Sequence, residues 1–367
     1  MFNRRRFLQT AAGAAGIAGL HAAGLLSSSA GAAEVAPADR PLKILFLGGT
    51  GFIGPHQIEY ALARGHEVTM FNRGRKAGMY GGRVEEIVGN RDTKIDAGLK
   101  PLEGDREWDV IVDNSGYIPR HVRDSVELLK DRCGRYIYVS TVAAYDKSTP
   151  GRFAEDGPID GMADASVEDV TWETYGPLKG DCDRYVREAL GSKATVVRPT
   201  FIVGPGDTSD RFTWWVDRIH RGGDIVGPPH REFDVQTVDA RDLCPWIITL
   251  AENDTPGAFN AAGQTFTREG LLWAVMATTG VEANFHWPSA ELVEELEMPT
   301  PMLAWGTDSN SFANEASRAA GLEYRSVADS ALGTLEWWRA QSDARRAKAR
   351  GWPTAELEVK MLTRMKG

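Results

Sequence analysis

The sequence predicts a doubly wound α/β fold: a parallel sheet flanked by helices, with a smaller mixed α/β lobe beside it. Three observations carry this. Six apolar, strand-like runs recur between Leu42 and Pro199, alternating with segments of helical periodicity. The first run, Ile44-Leu45-Phe46-Leu47, enters a glycine-rich turn, Gly48-Gly49-Thr50-Gly51-Phe52-Ile53-Gly54, where a helical pattern begins. Beyond Pro199 the segments shorten and glycine/proline breaks multiply.

The glycine turn is the strongest single signal. Strand, glycine turn, helix is how a phosphate cradle is built: Gly48 permits the tight turn, Gly51 a close approach of backbone to a pyrophosphate, and Gly54 close packing of helix on strand. The helix N-terminus then offers free N–H groups to negative phosphates. The sheet is therefore expected to be a dinucleotide-binding Rossmann sheet.

The ends of the chain are read separately. Residues 1–32 form an address: Asn3-Arg4-Arg5-Arg6-Phe7-Leu8 resembles a twin-arginine export signal, a weakly apolar run (Thr10 to Leu26) follows, and Ala30-Gly31-Ala32 is a cleavage site. That run is too poor in large apolar residues for a membrane span, so no stable membrane anchor is expected. The twin-arginine machinery is an expected partner, and the periplasm the expected location. A linker (33–40), a dinucleotide-binding domain (41–200), a substrate lobe with segments returning to the core (201–340) and a peripheral helical tail (341–367) complete the expected plan. At 367 residues the chain has room for about two domains. The net charge of −9 becomes −12 without the leader, 39 basic against 51 acidic residues, which argues against a nucleic-acid partner. Cys133, Cys182 and Cys244 show no metal-ligand spacing and are expected as buried thiols, with no metal site.

Element by element, the first strand is expected over Leu42–Leu47 and its helix over Ile53–Arg64, closed by Gly65. The second strand, Glu67–Phe71, ends at Asn72-Arg73-Gly74-Arg75, where such a fold meets the adenosine ribose. Asn72 and the arginines replace the acidic residue that would repel a 2′-phosphate, which favours NADP over NAD. The third strand, Val84–Val88, ends at Gly89-Asn90-Arg91-Asp92, beside the expected adenine, and a short helix is expected over Ile95–Leu102. The fourth, Trp108–Asp113, leads to Asn114-Ser115-Gly116, and a helix follows over Pro119–Arg132. The fifth, Arg135–Val139, runs into Ser140-Thr141. The helix begun by Tyr175-Gly176-Pro177-Leu178-Lys179 precedes the sixth strand, Thr195–Pro199. In the lobe, helices are expected over Arg211–Arg221, Asp239–Ala251, Arg268–Thr278, Ala290–Glu297, Ser311–Ala320 and Ser326–Arg339, with a buried strand at Ala258–Asn260.

Tyr175 and Lys179 stand four apart, on one helix face. An ammonium beside a phenol favours the phenolate, so the tyrosine can take a proton from an alcohol or return one to a carbonyl. The strand-five hydroxyls, Ser140 and Thr141, are expected nearby. In the lobe, Asp207, Arg211, Trp214, Gln236 and Arg241 are the polar and aromatic candidates for a substrate pocket, a set suited to a sugar nucleotide. His56, just after the glycine turn, faces either the ligand phosphates, the substrate or solvent.

Taken together, Gly48–Gly54, Asn114-Ser115-Gly116, Tyr138–Tyr145, Tyr175–Lys179, Val197-Arg198-Pro199, Gln236–Leu243 and Phe259-Asn260 resemble the extended short-chain dehydrogenase/reductases of the NAD-dependent epimerase/dehydratase type. The resemblance implies that Tyr175 is the acid/base, that Lys179 tunes it and holds the nicotinamide ribose, and that Thr141, four residues before Tyr145, is the catalytic hydroxyl in preference to Ser140. The expected cofactor is NADP or NAD, bound by Gly48, Thr50, Gly51, Phe52, Ile53, Gly54, Asn72, Arg73, Asn90, Asn114, Ser115, Gly116, Ser140, Tyr175, Lys179 and Pro199, and the export signal, leading to a compartment without free nicotinamide cofactor, calls for it to be tightly bound. The resemblance also implies hydride removal from a hydroxyl-bearing carbon of a sugar-type small molecule, and a homodimer. The strand-two and strand-three tips are similar to the chloroplast stem-loop-binding branch, which handles RNA and has a degenerate catalytic pair; here both members of the pair are present. A net NADPH-dependent carbonyl reductase and a non-catalytic dinucleotide-binding protein are the other readings.

Overall fold

The computed structural model describes residues 35–148, 151–297, 310–350 and 352–366. The chain parts into two units, Met1–Val35 and Ala36–Gly367. The expected export signal falls in the first, outside the described residues, and the fold is that of the second.

Seven strands form one parallel sheet: β1 (Lys43–Leu47), β2 (Glu67–Asn72), β3 (Glu85–Val88), β4 (Trp108–Asp113), β5 (Cys133–Val139), β6 (Ala194–Pro199) and β7 (Gly257–Ala261), in the order β7-β6-β5-β4-β1-β2-β3. The chain winds one way from β1 through β2 to β3 and the other way from β4 to β7. The reversal opens a crevice where β1 and β4 lie side by side. Leu47 pairs with both Phe71 and Asp113, so the glycine turn, Asn72 and Asn114 leave the sheet at one level.

The faces of the sheet follow from strand periodicity. Ile44 and Phe46 join Ile58 and Ala61 of helix α1 (Ile53–Ala63) and Leu243, Trp246 and Ile247 of α5 (Ala240–Glu252) in one core. Leu45 and Leu47 face the other way, onto Val122, Val126 and Leu129 of α2 (Pro119–Leu129) and Cys182 and Val186 of α3 (Trp172–Leu190). All three cysteines are free and buried. A third core belongs to the lobe. There α4 (Arg211–His220), α6 (Arg268–Thr279), α7 (Val327–Arg339) and α8 (Ala355–Lys366) enclose Phe212, Trp215, Ile219, Leu272, Val275, Leu335, Trp352 and Met361.

Several expectations are corrected. The strict alternation of six strand–helix units fails: no helix separates β2 from β3, and the helix expected over Ile95–Leu102 is a series of turns ending in a 3-10 turn, Lys100–Leu102. Asp96 and Gly98 take left-handed backbone angles, φ 53° and 56°, which a helix cannot accommodate. The strand expected in the lobe at Ala258–Asn260 is β7, the seventh strand of the main sheet, paired with β6 through Phe259 and Val197. Ser311–Phe312 is a short strand paired with Arg152–Phe153, and only Glu315–Ala319 is helical in the stretch expected as one helix. The helix expected to begin at Tyr175 begins at Trp172. Thr171 caps it reciprocally with Thr174, and Pro177 sits inside the helix rather than in its first turn. Finally, the tail is not peripheral: Trp352 and Met361 are buried, and Glu358 accepts from Arg218 Nε at 2.8 Å and from the Val226 N–H at 3.2 Å.

Candidate active site

A single cavity of about 1330 Å³ runs along the carboxyl edge of the sheet, from the glycine turn and the tips of β2 and β3 to Tyr175 and on to the lobe. It exceeds the ~300–1,000 Å³ of an ordinary small-ligand pocket, leaving room for a dinucleotide and a second molecule.

The first end is built from backbone. Gly48 and Gly49 take φ of +103° and +129°, open to glycine and strained for other residues. A side chain at Gly54 would lie 2.3 Å from the Gly49 carbonyl oxygen, so α1 packs on the turn only because Gly54 has none. Nothing lies within 4 Å of the place a Gly51 side chain would fill. No side chain caps α1 and no acid stands in its first turn, which leaves its N–H groups to an anion. Tyr80, which the sequence reading passed over, donates to the Gly49 carbonyl at 2.6 Å, and Lys76 Nζ to that of Thr50 at 2.8 Å.

At the β2 tip, Asn72 donates to Glu86 Oε1 at 2.8 Å and accepts from the Gly74 N–H, so its side chain shapes the turn that presents Arg73 and Arg75. Both arginines are exposed on the cavity wall and form no ion pair among the described residues. Beside Asn90, the sequence reading missed Arg91. It is buried, paired with Asp113, and donates to Ser115 Oγ at 3.3 Å and to the His121 carbonyl at 3.2 Å. Asp113, fully buried, also accepts from Tyr136 Oη at 2.8 Å and from the Ser115 N–H at 3.0 Å. A cation followed by an acid in Arg91-Asp92 gave no sequence cue that the arginine would turn inward to β4.

Three buried polar atoms of residues on the cavity wall have no partner among the described residues: Arg91 Nε, Asn114 Oδ1 and Ser140 Oγ. Buried polar groups are ordinarily hydrogen-bonded. Orphaned acceptors and donors here, together with the open glycine cradle, fit a polar, phosphate-bearing ligand along this edge.

The second end is built from side chains. A side chain at Gly176 would meet the Ala143 carbonyl at 2.5 Å, so α3 approaches the Val142–Ala144 turn closely enough to bring Tyr175 to Thr141. The Thr141 hydroxyl accepts from the Ala143 N–H at 3.1 Å and lies close enough to the Tyr175 phenol to favour its ionised form; Ser140 has no such effect. Lys179 is buried and donates to the Gly116 and Val139 carbonyls, both at 2.7 Å. Its ammonium stands 4.1 Å from the Tyr138 ring centre and 5.3 Å from that of Tyr117. Burial pushes Lys179 down to about 8 and Tyr175 up to about 12. The expectation that Lys179 lowers the Tyr175 pKa is therefore not met: burial outweighs the neighbours, and the cation that pulls on the phenol is Arg211.

Of the remaining candidates, Pro199 borders the cavity, while Gly116 lies behind its wall as an acceptor for Lys179 and for Tyr138 Oη at 2.8 Å. Arg211 and Gln236 reach the cavity from the lobe. Gln236 uses both ends of its amide on backbone, donating to Gly263 and Phe312 carbonyls and accepting from the Phe312 N–H at 2.7 Å. It thereby latches that segment in place. Trp214 does not line the cavity; it packs edge-on against Trp215, 4.8 Å between ring centres, in the lobe core. Asp207 is also buried off the wall, its carboxylate accepting from the Ser209 N–H and hydroxyl at 2.8 and 2.6 Å. Arg241 pairs with Asp239 at 2.7 Å instead of facing a ligand. His56 is half-buried and does not line the cavity: its Nε2 donates to the Pro205 carbonyl at 2.8 Å and ties the turn of the lobe to α1. Lys147, half-buried on the wall and pushed down to about 8 by burial, is a further residue the sequence did not single out.

The fold agrees with comparison to known proteins. Residues 44–262 match the family model described as NAD dependent epimerase/dehydratase family. The chain belongs to that family. Among curated relatives, it is 26% identical over 269 residues to the chloroplast stem-loop binding protein of 41 kDa b of Arabidopsis thaliana, covering 68% of this chain and 65% of that protein, a little under two thirds of its length. It is 28% identical to the human epimerase family protein SDR39U1, over 66% of this chain and 78% of that one. Among solved structures, dTDP-glucose 4,6-dehydratase of Bacillus anthracis in complex with NAD superposes with a TM-score of 0.61 at 15% identity, over 87% of this chain and 99% of that one. UDP-N-acetylglucosamine 4-epimerase of Bacillus cereus gives 0.62 at 15%, over 82% and 98%. At these identities the structures show the fold.

Proposed function

We propose that the protein is an exported NAD(P)-dependent oxidoreductase of epimerase or dehydratase type that acts on a sugar or nucleotide-sugar. The observation that carries this is the single cavity joining an open glycine cradle to the half-buried Tyr175 and the buried Thr141. Relatives of the fold that bear sugar-nucleotide names are consistent with the substrate class. Bound in this cavity, the nicotinamide cofactor would supply hydride acceptance and return. Gly48, Thr50, Gly51, Phe52, Ile53 and Gly54 would hold its pyrophosphate, Asn90, Asn114, Ser115 and Ser140 its polar edges, and Pro199 its nicotinamide side. Exposed Arg73 and Arg75 favour a 2′-phosphate, hence NADP. Tyr175 moves the proton at the substrate oxygen, Thr141 orients that oxygen, and Lys179, fixed on two carbonyls, keeps one N–H for the ribose.

Residues 1–32 are proposed as a twin-arginine signal cleaved near Ala32, which places the mature protein in the periplasm. There an oxidoreductase without a free nicotinamide supply needs a tightly held cofactor that is restored within each turnover. The domain plan follows: a linker at 33–40, dinucleotide binding over 41–200, the substrate lobe over 201–340 and the C-terminal segment 341–367, with a homodimer as the proposed assembly.

Denaturing the purified mature protein and identifying the nucleotide released tests the proposal. NADP or NAD at near-equal molar amount is expected; a protein that releases none and binds neither overturns it. Absorbance of the reduced cofactor during turnover then separates the classes: no net change for an epimerase or dehydratase, stoichiometric change for a net reductase. Tyr175→Phe should keep the nucleotide and lose turnover by ~10²–10⁴-fold.

A further inference from the structure

Between β2 and β3, where no helix intervenes, residues 73–84 reach back to the glycine cradle. Two side chains tie this strap to consecutive carbonyls of the turn. Tyr80, 4% exposed, donates its phenol proton to the Gly49 carbonyl at 2.6 Å. Lys76 donates through Nζ to the Thr50 carbonyl at 2.8 Å. The far end of the strap is fixed as well. The Arg83 N–H and Nε donate to the Tyr80 carbonyl at 3.1 and 3.3 Å, and the Arg83 guanidinium meets both carboxylate oxygens of Glu59 on α1 at 2.7 and 2.6 Å. The two tethers differ in kind. Tyr80 is buried and spends its one proton on a carbonyl. Lys76 is exposed on the cavity wall with Thr50 and Gly51, and an ammonium has three donors. Among the described residues the Thr50 carbonyl is its one polar partner, so the other donors are open to a ligand.

The cradle has a use for that charge. A diphosphate carries a negative charge on each phosphate. The N-terminus of α1, without a side-chain cap or a first-turn acid, answers with about half a unit of positive charge. Most of the ligand's charge is left for a cation to meet, and Lys76 is the cation hydrogen-bonded to the turn among the described residues. The space beside it is open, with nothing within 4 Å of the place a Gly51 side chain would fill.

We infer that Lys76 is a ligand of the dinucleotide's diphosphate, held over the cradle by its bond to Thr50, and takes no part in reading a 2′-phosphate. The inference rests on the proposed dinucleotide-binding function. It divides the cations of one loop between two tasks. Arg73 and Arg75 stand at the β2 tip, in the turn that Asn72 shapes through the Gly74 N–H, and serve NADP. Lys76 is fixed on the glycine turn itself and serves NAD and NADP alike. A compact ammonium with rotatable donors suits a diphosphate, which it meets as a point charge.

The test separates the two kinds of phosphate. The full mature chain is stripped of nucleotide with charcoal, and four ligands are titrated into it by calorimetry at low ionic strength: NAD, NADP, ADP, which has a diphosphate and no 2′-phosphate, and adenosine 2′-monophosphate, which has the reverse. Lys76→Met should weaken ADP and NAD about ten-fold and leave adenosine 2′-monophosphate within about two-fold. Lys76→Arg keeps the charge and should hold ADP within about three-fold of the parent. Tyr80→Phe removes the other tether and no charge, and should cost ADP less than Lys76→Met does. Arg73→Ala together with Arg75→Ala should weaken adenosine 2′-monophosphate and spare ADP. Far-ultraviolet circular dichroism confirms the fold of each variant. A folded Lys76→Met protein that binds ADP as the parent does overturns the inference. So does an equal loss of ADP and adenosine 2′-monophosphate, which would put the lysine at the ribose, or an equal loss of ADP in Tyr80→Phe, which would make it a tether. A parent that binds ADP but neither NAD nor NADP counts against the proposed function and leaves the Lys76 comparison decisive; a parent that binds none of the four overturns both.

Discussion

The two ends of the cavity solve the problem of holding a ligand in opposite ways. At the glycine cradle the chain removes side chains, so that backbone N–H groups and open space do the recognising. At the Tyr175 end it crowds side chains together, and burial shifts their proton affinities, Tyr175 up to about 12 and Lys179 down to about 8. The first end depends on geometry. The second depends on charge held in a low-dielectric site, and its behaviour is tied to buried partners.

The partners that matter most lie beneath the second end. Arg198 of β6, with no exposure, donates through Nε and one terminal nitrogen to the two Asp183 carboxylate oxygens of α3 at 2.8 and 3.0 Å, and through the other to Tyr145 Oη at 2.8 Å. This pins α3, and with it Tyr175, to the sheet. Removing one partner leaves a buried charge uncompensated. Asp183→Ala should therefore cost about 3–5 kcal/mol of stability, read as a lower denaturant midpoint. A loss under about 1 kcal/mol would show that the second end stands without its buried support, and the contrast between the ends would weaken.

Gly54→Ala attacks the first end with the least possible chemistry, one methyl group. Its carbon would fall 2.3 to 2.5 Å from Gly49 backbone atoms, which cannot swing aside as a side chain can. A cost of about 2–3 kcal/mol is expected, with loss of nucleotide from the purified protein. Gly51→Ala is the internal control: no atom lies within 4 Å, so stability should hold within about 0.5 kcal/mol while nucleotide retention falls. If Gly51→Ala retains nucleotide as well as the parent, the backbone approach there is not part of recognition.

These contrasts explain what was legible beforehand. The strand–turn–helix geometry of the first end was legible, because glycine spacing between a strand and a helix is a local pattern with a local cause; Tyr80 and Lys76, which hold that turn, were not. Tyr175, Lys179 and Thr141 were legible by spacing too, but not their energetics, because burial is a property of the whole fold. Arg91 went unseen because its partner Asp113 is brought to it only by the pairing of β1, β2, β3 and β4 into one sheet. The lobe was read least well. Trp214 and Asp207 have the chemistry of pocket residues, and composition alone cannot tell which face of α4 or which side of a turn is covered by α6, α7 and the C-terminal segment. β7 was seen as a strand and misplaced because its neighbour in space, β6, lies a whole lobe segment earlier in the chain.

The β2 tip offers a smaller, reversible test at the boundary between the two modes, since it recognises by charge but in the open. Arg73 and Arg75 are exposed, so each contributes modestly, and salt should screen them. Arg73→Ala together with Arg75→Ala should weaken NADP about ten-fold or more and leave NAD within two-fold, measured by titration calorimetry at low ionic strength. Equal losses for both cofactors would show that the arginines act on something other than a 2′-phosphate.

The smallest effect expected is a pH limb, and its sign separates the two ends most cleanly. Lys179 folded ionises at about 8, below its ordinary value of 10.5. Between those values the unfolded chain binds more protons than the folded one, so this residue alone makes stability rise with pH across that window, and it costs stability below about 8, where the buried amine must carry its charge. Function runs the other way. Once the amine is neutral it loses its charge toward a ribose, so nucleotide affinity should fall as pH rises through about 8, by a few-fold. Lys179→Met should flatten both limbs, the rise in stability and the fall in affinity. Opposed slopes in the parent and flat lines in the variant would assign the pH response to Lys179; an affinity limb that persists in Lys179→Met would assign it to another titrating group.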